Sequence, residues 1–345
     1  MREKTAEGSR KAKRVFLTTF LLVFFCCLIL FVPLQYSIGK LGEVRVFSGT
    51  ENLMDEMDPI VGRNSPFFQI FQDSQRVNVL VMGVNGKLTD TIMLGSYDME
   101  NQRVDVISVP RDTYFPEEGV QSAAAKKINA VYGRSGAVGS AEAVSKVLMG
   151  FPIHYYAVIE YSGVEKIVDA IGGVPVTIPF DMDYEDRYDK PPLKIHFKKG
   201  EMVLNGANAV KFLRYRKDNK KGDYGYAQGD IGRIAAQQEF LKSAFHEALG
   251  FSLPKVVETT LKNVDSDLSL QMAVKIASKA IGLSAENLHT YLTPGRSGTR
   301  DGSSYWFADS EAVGAMLTEI YAPEPETTTE EGIGAGATGD AVALP

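Results

Sequence analysis

Three separate segments hold four arginines that could bind a multiply charged anion. In GDIGRIAAQQEFL, residues Asp230, Arg233 and Gln237 recur at spacings of three and four, so a helix would place them on one polar stripe. Arg233 would lie in the first turn, where the positive end of the helix dipole disfavours a cation unless an anion is bound nearby. Asp230, which follows a glycine, also suits the N-cap position. The alternative is a solvated helix face without a ligand.

The second segment, LRYR, contains Arg214 and Arg216. In an extended conformation these side chains would point the same way, and they would repel each other unless an anion or carboxylates lay between them. Planar guanidinium groups suit bidentate contacts with phosphate. A basic surface edge is the alternative interpretation.

The third segment, SVPRDT, places Arg111 and Asp112 just beyond a β-rich run that ends in proline. Ligand-binding groups collect at such strand ends in α/β proteins, although a neighbouring Arg–Asp pair is often structural. Asp90, before TIML, and Lys127 and Asn129, in KKINA, are weaker candidates when taken alone.

Several other classes of protein are disfavoured by the sequence. It contains no GxSxG, HExxH or Walker-type loop, and its four histidines are scattered singly. Both cysteines, Cys26 and Cys27, lie in one long apolar run, so the rest of the chain can form neither disulfides nor a thiolate metal site. A net charge of −6 argues against a general nucleic-acid binder.

An α/β scaffold is needed to bring the candidate residues together. Hydrophobic patterning predicts strands at 77–83, 91–98, 104–112, 155–161, 174–180, 193–197 and 288–295. It predicts helices at 139–149, 164–173, 230–249, 254–262, 268–281 and 308–320, a short helix that leads into 212–216, and a polar, turn-rich stretch at 181–192. The short connections between the first three strands predict that they are neighbours. We therefore predict a three-layer α/β/α sandwich around a central mixed β-sheet.

The N-terminal region has the pattern of a membrane anchor. Residues 1–14 contain six basic and two acidic groups, and residues 15–36 carry no charge. A 22-residue helix is about 33 Å long, enough to cross a hydrocarbon core of roughly 30 Å. The positive-inside rule predicts a single-pass protein of the cell membrane with a cytoplasmic N-terminus and an extracellular C-terminal domain. A cleaved signal peptide is the alternative, but no small-x-small cleavage site follows the apolar run.

These patterns divide the chain into five segments, of which the first is the cytoplasmic basic stub at 1–14. The other four are a transmembrane helix at 15–36, an extracellular stalk or entry segment at 37–75, a folded domain at 76–322 and a disordered tail at 323–345.

Six strings of the folded domain, in order, resemble the LytR–CpsA–Psr family of cell-envelope proteins. They are VNVLVMGVNGKLTDTIMLGSYD, VDVISVPRDTY, KKINAVYG, YYAVIEYSGVEKIVDAIGGVPVTIPFDMDYED, IHFKKGEMVLNGANAVKFLRYR and GDIGRIAAQQEFL, and they run from Val77 to Leu241. The resemblance implies a catalytic domain and a Mg²⁺-dependent phosphotransferase. Such an enzyme takes a glycopolymer of the teichoic acid or capsule type from an undecaprenyl-pyrophosphate carrier in the membrane and attaches it to peptidoglycan through a phosphodiester.

The resemblance also implies roles for individual residues. The pyrophosphate would be gripped by Arg111, Arg214, Arg216 and Arg233, with Lys127, Asn129 and Gln237 as further substrate-binding residues. Mg²⁺ would be held by Asp90, while Asp112 and Asp230 would orient arginines or assist the attacking sugar hydroxyl. The lipid tail would need an apolar pocket, for which the faces of the last helices are candidates.

Two departures from the family pattern leave other functions open. Asn85 stands where the family usually has a second metal-binding Asp, and an amide brings no negative charge to Mg²⁺. Ala236 replaces the second arginine of the family's GRxxRQQ string. A catalytically weakened polyprenyl-phosphate-binding or regulatory protein is therefore one alternative, and a lipid pyrophosphatase is another.

Overall fold

Groups of consecutive strands are separated by helices along the described residues. The computed structural model describes residues 57–68, 71, 75–189, 192–219, 224–248, 259, 262–269, 272, 275–276, 279 and 287–321. The strands are β1 (Arg76–Asn85), β2 (Leu88–Asp98), β3 (Arg103–Ser108), β4 (Tyr155–Glu160), β5 (Val174–Ile178), β6 (Met182–Asp186), β7 (Leu193–Phe197), β8 (Gly200–Leu204), β9 (Val264–Ser266), β10 (Leu288–Leu292), β11 (Gly295–Arg300) and β12 (Ser303–Ala308). The helices are α1 (Val131–Val147), α2 (Tyr161–Ala170), α3 (Gly206–Arg214), α4 (Asp230–Ala248) and α5 (Ser310–Tyr321).

A six-stranded mixed sheet in the order β10-β3-β2-β1-β4-β9 forms the centre of the fold. Strands β1, β2 and β3 pair antiparallel, as their short connections predict, whereas β1 pairs parallel with β4 and β3 pairs parallel with β10. The other described strands form three two-stranded sheets, β5–β8, β6–β7 and β11–β12. The carboxyl ends of β1, β3 and β4 and the start of β2 therefore meet at one edge of the central sheet.

Helices cover both faces of the central sheet. On one face, Leu80 and Met82 of β1 share a buried apolar core with Val144 of α1 and Leu317 of α5. Ile107 belongs to this core, so the next residue, Ser108, faces the other side. Helix α4 lies on that side of the sheet. Its Gln238 Nε2 donates to Ser108 Oγ at 2.9 Å and to Tyr291 O at 3.0 Å. The α/β class with a mixed central sheet is confirmed.

A second, smaller core joins α2, α3 and α4 to the two-stranded sheets β5–β8 and β6–β7. Helix α3 begins after Asn205, whose side chain accepts from Asn208 N at 3.0 Å and caps the helix. It continues to Arg214, so the extended conformation predicted for LRYR is wrong for its first half. The amphipathic run GANAVKFLR buries Ala209 and Phe212, and this packing decides the local conformation.

Some predicted elements fall outside the described residues or were missed. No helix within the described ranges is long and apolar enough to span a bilayer. The predicted span at 15–36, the segment 37–56, the tail and most of the predicted helices at 254–262 and 268–281 lie outside those ranges. Strands β6, β8, β9, β11 and β12 were not predicted, because each is at most six residues long and β6, β9 and β11 are mostly polar.

Candidate functional site

The candidate residues meet in a cavity at the edge where β1, β3 and β4 end and β2 begins. This cavity, of about 330 Å³, is called the arginine cavity here, and its lining includes Asp90, Arg111, Tyr161, Arg214, Arg216 and Arg233. Open α/β sheets commonly bind ligands at the carboxyl ends of their strands. All four arginines that the sequence singled out are thus brought together, although they lie in segments up to 122 residues apart along the chain.

Asp90 lies at the centre of the contacts in the arginine cavity. The strand register shifts between Gly83, which pairs with Thr91, and the following residue, so Asp90 is the extra residue of a β-bulge. Bulges re-aim side chains near functional sites. Here Arg111 Nη1 donates to Asp90 Oδ1, Tyr161 Oη donates to Asp90 Oδ2, and Arg233 Nη2 donates to the Asp90 carbonyl at 3.3 Å.

Of the predicted polar stripe on helix α4, Arg233 and Gln237 line this cavity, whereas Asp230 lies next to it against Arg233. Arg233 Nη2 lies 2.9 Å from Asp230 Oδ1, and Gln237 Nε2 donates to Leu213 O at 3.1 Å. Asp230 is the first residue of the helix, and neither of its carboxylate oxygens makes a hydrogen bond to another described residue, so the predicted N-cap contact is not formed. The carboxylate faces arginines instead, since Arg111 Nε lies 3.6 Å from Asp230 Oδ1.

Desolvation and neighbouring charges shift the pKa values of Arg111 and Arg233 in the cavity. Arg233 is 4% exposed, and burial followed by the charge of Arg111 lowers its pKa. Burial would also lower the pKa of Arg111, but the carboxylates of Asp230 and Asp90 outweigh this effect and raise it. Among the described residues, Arg111 Nε and Arg233 Nε make no hydrogen bond. The cluster therefore has N–H donors and positive charge to offer a phosphate-like anion.

Arg214 and Arg216 enter the cavity from the end of α3. Arg214 Nη2 lies 2.7 Å from Asp189 Oδ2, and its guanidinium stacks over the ring of Tyr161 at 4.7 Å from the centroid. Arg216 follows the end of the helix and lines the same cavity. The helix end, rather than the alternation of an extended strand, brings the two arginines to one site.

The remaining candidates brace the Arg111–Asp112 loop. Lys127 Nζ donates to Asp112 Oδ1 at 2.8 Å, and Asn129 N donates to Arg111 O at 3.2 Å. On the other side, Trp306 N donates to Asp112 O at 3.0 Å. Lys127, Asn129 and Asp112 do not line the arginine cavity and are linked to it only through the Arg111–Asp112 loop.

Asn85 lies at the outer end of the β1–β2 hairpin. It is the last residue of β1, its side chain is exposed, and it pairs with Leu88 across the turn. It does not line the arginine cavity, but it belongs to the same hairpin as Asp90.

A larger apolar groove lies on another side of α4. Its volume is about 1050 Å³, and Phe180, Met202, Tyr226, Ala236 and Phe240 are among its lining residues. Gly232 and Ala236 face the groove whereas Arg233 and Gln237 line the arginine cavity, so one helix borders both spaces. Burial raises the pKa of Tyr226, which therefore stays protonated. The sequence pointed to the last helices for such a pocket, and in the structure α4 and the β5–β8 sheet form it.

Tyr161 and Asp189 are site residues that sequence reasoning missed. Burial, followed by the charge of Asp90, raises the pKa of Tyr161. Its position directly after β4 is a signal of the same kind as that of Arg111 after β3, and it could have been found in this way. Asp189 lies in a polar turn, where nothing in the sequence marks one carboxylate among several.

Comparison with known proteins gives a consistent family assignment. The LytR_cpsA_psr family pattern matches residues 46–321. The Bacillus subtilis protein named polyisoprenyl-teichoic acid–peptidoglycan teichoic acid transferase TagV is 27% identical over 271 residues, which are 73% of this chain and 66% of TagV. This chain thus spans slightly less than two thirds of that relative.

Two further comparisons bear on fold and function. The crystal structure of B. subtilis TagV superposes with a TM-score of 0.58 and 25% identity, covering 72% of this chain and 98% of that one. The Staphylococcus aureus protein named regulatory protein MsrR is 31% identical over 195 residues, which are 52% of this chain and 53% of MsrR.

Proposed function

Because the chain belongs to the LytR–CpsA–Psr family, we propose that it transfers a glycopolymer from a polyprenyl-pyrophosphate carrier to peptidoglycan. The name of TagV supports this activity. The observation that carries the proposal is the convergence of Arg111, Arg214, Arg216 and Arg233 on one cavity beside an apolar groove. A polyprenyl pyrophosphate has the matching parts, a multiply charged head and a hydrocarbon tail.

The arginine cavity would bind the pyrophosphate. Phosphoryl transfer depends on positioning and on neutralising charge in the transition state more than on a covalent nucleophile. Arg233 is buried and Arg111 is half-buried, and within the described residues the Nε–H of each makes no hydrogen bond. Arg214 offers a planar fork above Tyr161. The repulsion between the buried guanidiniums would be relieved by the bound anion.

The apolar groove would receive the lipid tail. Helix α4 borders both spaces, so a pyrophosphate beside Arg233 could extend its tail past Gly232 and Ala236. The small side chain of Ala236 leaves room in the groove where a family arginine would occupy it. Removing the hydrocarbon from water would contribute about 0.8 kcal/mol for each buried CH₂ group.

The transfer step needs an acceptor for the proton of the sugar hydroxyl. The hydroxyl oxygen would form a bond to the phosphorus that carries the glycan, the bond from this phosphorus to the bridging oxygen would break, and polyprenyl phosphate would leave. Asp230 is the better placed of the two candidate carboxylates to take the proton, because its Oδ1 lies 2.9 Å from Nη2 of Arg233, which lines the arginine cavity. Asp112 is engaged by Lys127.

Mg²⁺ is the cofactor that we propose, with Asp90 as its protein ligand. Within the described residues, no group of three or more His, Cys, Asp or Glu side chains could hold a metal ion. Mg²⁺ commonly needs only one or two carboxylates plus substrate phosphates. Asp90 fits this pattern, since a carboxylate has about four lone-pair sites and two hydrogen bonds occupy only part of them. When bound, the ion would neutralise charge on the phosphate oxygens.

We also propose that residues 15–36 anchor the protein in the cell membrane with the domain at 76–322 outside. This location would place the arginine cavity where lipid carriers and peptidoglycan meet. The basic stub, the length of the apolar run and the proposed lipid substrate support the arrangement.

A polyprenyl-phosphate-binding regulator is the second candidate function. Ala236 removes one family arginine, Asn85 removes one carboxylate, and MsrR carries a regulatory name. Such a protein would keep the cavity and the groove but would not turn over its ligand.

One assay separates these functions. The full chain in detergent is incubated with Mg²⁺, a lipid-pyrophosphate-linked glycan and a peptidoglycan oligomer. Joined product supports the transferase, released phosphate without joining supports a pyrophosphatase, and binding without turnover supports the regulator.

Arg111→Ala and Arg233→Ala test the site itself. Each change removes a charged hydrogen-bond donor, so each should weaken binding of the pyrophosphate lipid by about 1.5–3 kcal/mol, measured by equilibrium binding. Arg296→Ala, on an exposed strand of the β11–β12 hairpin, is the control and should leave binding unchanged. Unaltered affinity in both cavity variants would contradict the assignment.

A further inference from the structure

Tyr161 makes two different contacts with the arginine cavity from one side chain. It is the first residue of α2 and directly follows β4, so its backbone is held at the carboxyl edge of the sheet. Its hydroxyl donates to Asp90 Oδ2, and its ring lies under the Arg214 guanidinium at 4.7 Å from the centroid. The residue therefore links the bulge in β2 to the end of α3.

The hydroxyl contact fixes the orientation of the Asp90 carboxylate. Arg111 holds one carboxylate oxygen and Tyr161 holds the other, so rotation of the carboxylate about its last bond would break a hydrogen bond. A hydrogen bond to a charged group is stronger than a neutral one. The carboxylate thus keeps a defined direction for its remaining lone pairs.

The ring contact orients Arg214 independently of the hydroxyl. A guanidinium over an aromatic face is attracted by the ring quadrupole, which favours one position for Arg214. Its Nη2 also donates to Asp189 Oδ2 at 2.7 Å. Phenylalanine would retain this contact and lose the hydroxyl bond, whereas leucine would lose both.

We propose that Tyr161 is a positioning residue that sets the direction of Asp90 through its hydroxyl and of Arg214 through its ring. This inference rests on the proposed function for the identity of the ligand. The hydroxyl of Tyr161 would act on the reacting centre through Asp90. Its ring would act on binding of the donor pyrophosphate through Arg214. The two parts predict different outcomes for two substitutions.

The test compares Tyr161→Phe and Tyr161→Leu in the full chain in detergent. Binding of polyprenyl pyrophosphate is measured in the presence of EDTA, and kcat for glycan joining is measured with Mg²⁺. Tyr161→Phe should lower kcat about 10-fold or more and change the Kd of the lipid by less than about threefold. Tyr161→Leu should in addition raise that Kd by roughly 3- to 30-fold. Tyr224→Phe removes an exposed hydroxyl and is the matched control.

Each part can be overturned separately. A kcat of Tyr161→Phe within about threefold of wild type removes the role in orienting Asp90. Equal lipid affinity in the Phe and Leu variants removes the role in orienting Arg214. Parallel losses of kcat and affinity with a lower Tm in the Phe variant would mean that the residue only packs. If the wild-type chain joins no glycan, the proposed transferase activity fails, and the affinity difference between the two variants still decides the Arg214 part.

Discussion

The one-residue β-bulge in strand β2 determines the position of Asp90 in the cavity. Without the bulge opposite Gly83 and Val84, Asp90 would be paired within the ladder, and its side chain would be directed by the alternation of β2. A bulge of this kind leaves little trace in hydrophobic patterning. For this reason, Asp90 was only a weak candidate before the family motif was considered. Tyr161 was not a candidate at all, and its hydroxyl matters because the bulge brings Asp90 to it.

Asn85→Asp tests whether the hairpin end takes part in metal binding. The change adds a carboxylate to the hairpin that carries Asp90, so Mg²⁺ should bind more tightly by roughly threefold or more because ligand charge raises affinity. Calorimetric titration of the full chain with Mg²⁺ would measure it.

Asn205→Asp is the control for added charge alone. It keeps a good N-cap for α3 and lies at an exposed position. If Asn85→Asp gains no more affinity than this control, Asn85 is not at the metal.

The sequence singled out the four arginines that line the cavity, but the local conformation was not predicted correctly for all of them. Arg111 and Arg233 were identified by their positions after a strand and in the first turn of a helix, and both line the cavity. Arg214 and Arg216 also line it, although Arg214 is the last residue of helix α3 and not extended as expected. The ordered motifs predicted that these residues come together, but the local conformation depends on burial of Ala209 and Phe212, which the charge pattern alone does not reveal.

At the scale of elements, the β11–β12 hairpin holds the loop that carries Arg111. Trp306 N donates to Asp112 O, and Tyr114 N donates to Trp306 O at 2.8 Å. The hairpin was not predicted, because GRSGTR is polar and rich in glycine and pairs with only one other strand. Strand predictions succeeded where burial on both faces imposes continuous apolar runs, as in β1 and β2.

Gly295→Ala tests this support. A Cβ atom at Gly295 would lie 2.3 Å from Phe307 O and 2.7 Å from Trp306 Nε1, so the second strand of the hairpin would have to shift. We expect affinity for the pyrophosphate lipid to fall several-fold while circular dichroism stays unchanged, since overpacking costs about 1–3 kcal/mol and is local. Ser304→Ala, on the same hairpin at an exposed position, should have no effect. Wild-type affinity in Gly295→Ala would show that the hairpin does not position the loop.

At the scale of the whole molecule, one buried histidine ties stability to pH. His154 is 1% exposed, and Asn78 N donates to its Nδ1 at 3.0 Å, so the ring is neutral in the folded protein. Burial lowers the pKa of His154 from 6.5 to about 4. The folded state therefore takes up this proton at lower pH than the unfolded state does.

The expected pH dependence follows from this difference. The contribution of neutral His154 to stability is complete above pH 6.5 and is lost as the pH falls towards 4, a total of about 3 kcal/mol. Urea unfolding of the wild type and of His154→Gln at pH 7.5, 5.5 and 4.5 would measure it. The free energy of unfolding should fall more steeply with acid in the wild type. Equal slopes in the two proteins would contradict a neutral buried His154.

The parallel pairing of β3 with β10 also determines when the sheet can be completed. Val104 of β3 lies opposite Leu288 of β10, so 184 residues separate the two partners along the chain. Pairings between distant segments form slowly, because a long loop must close before the contacts compensate for its lost entropy. While the polypeptide is being made, β3 keeps an open edge until almost the whole domain has emerged. The nascent chain is therefore exposed to self-association through the open edge of β3 over this interval. A chain that ends before residue 288 should aggregate rather than fold.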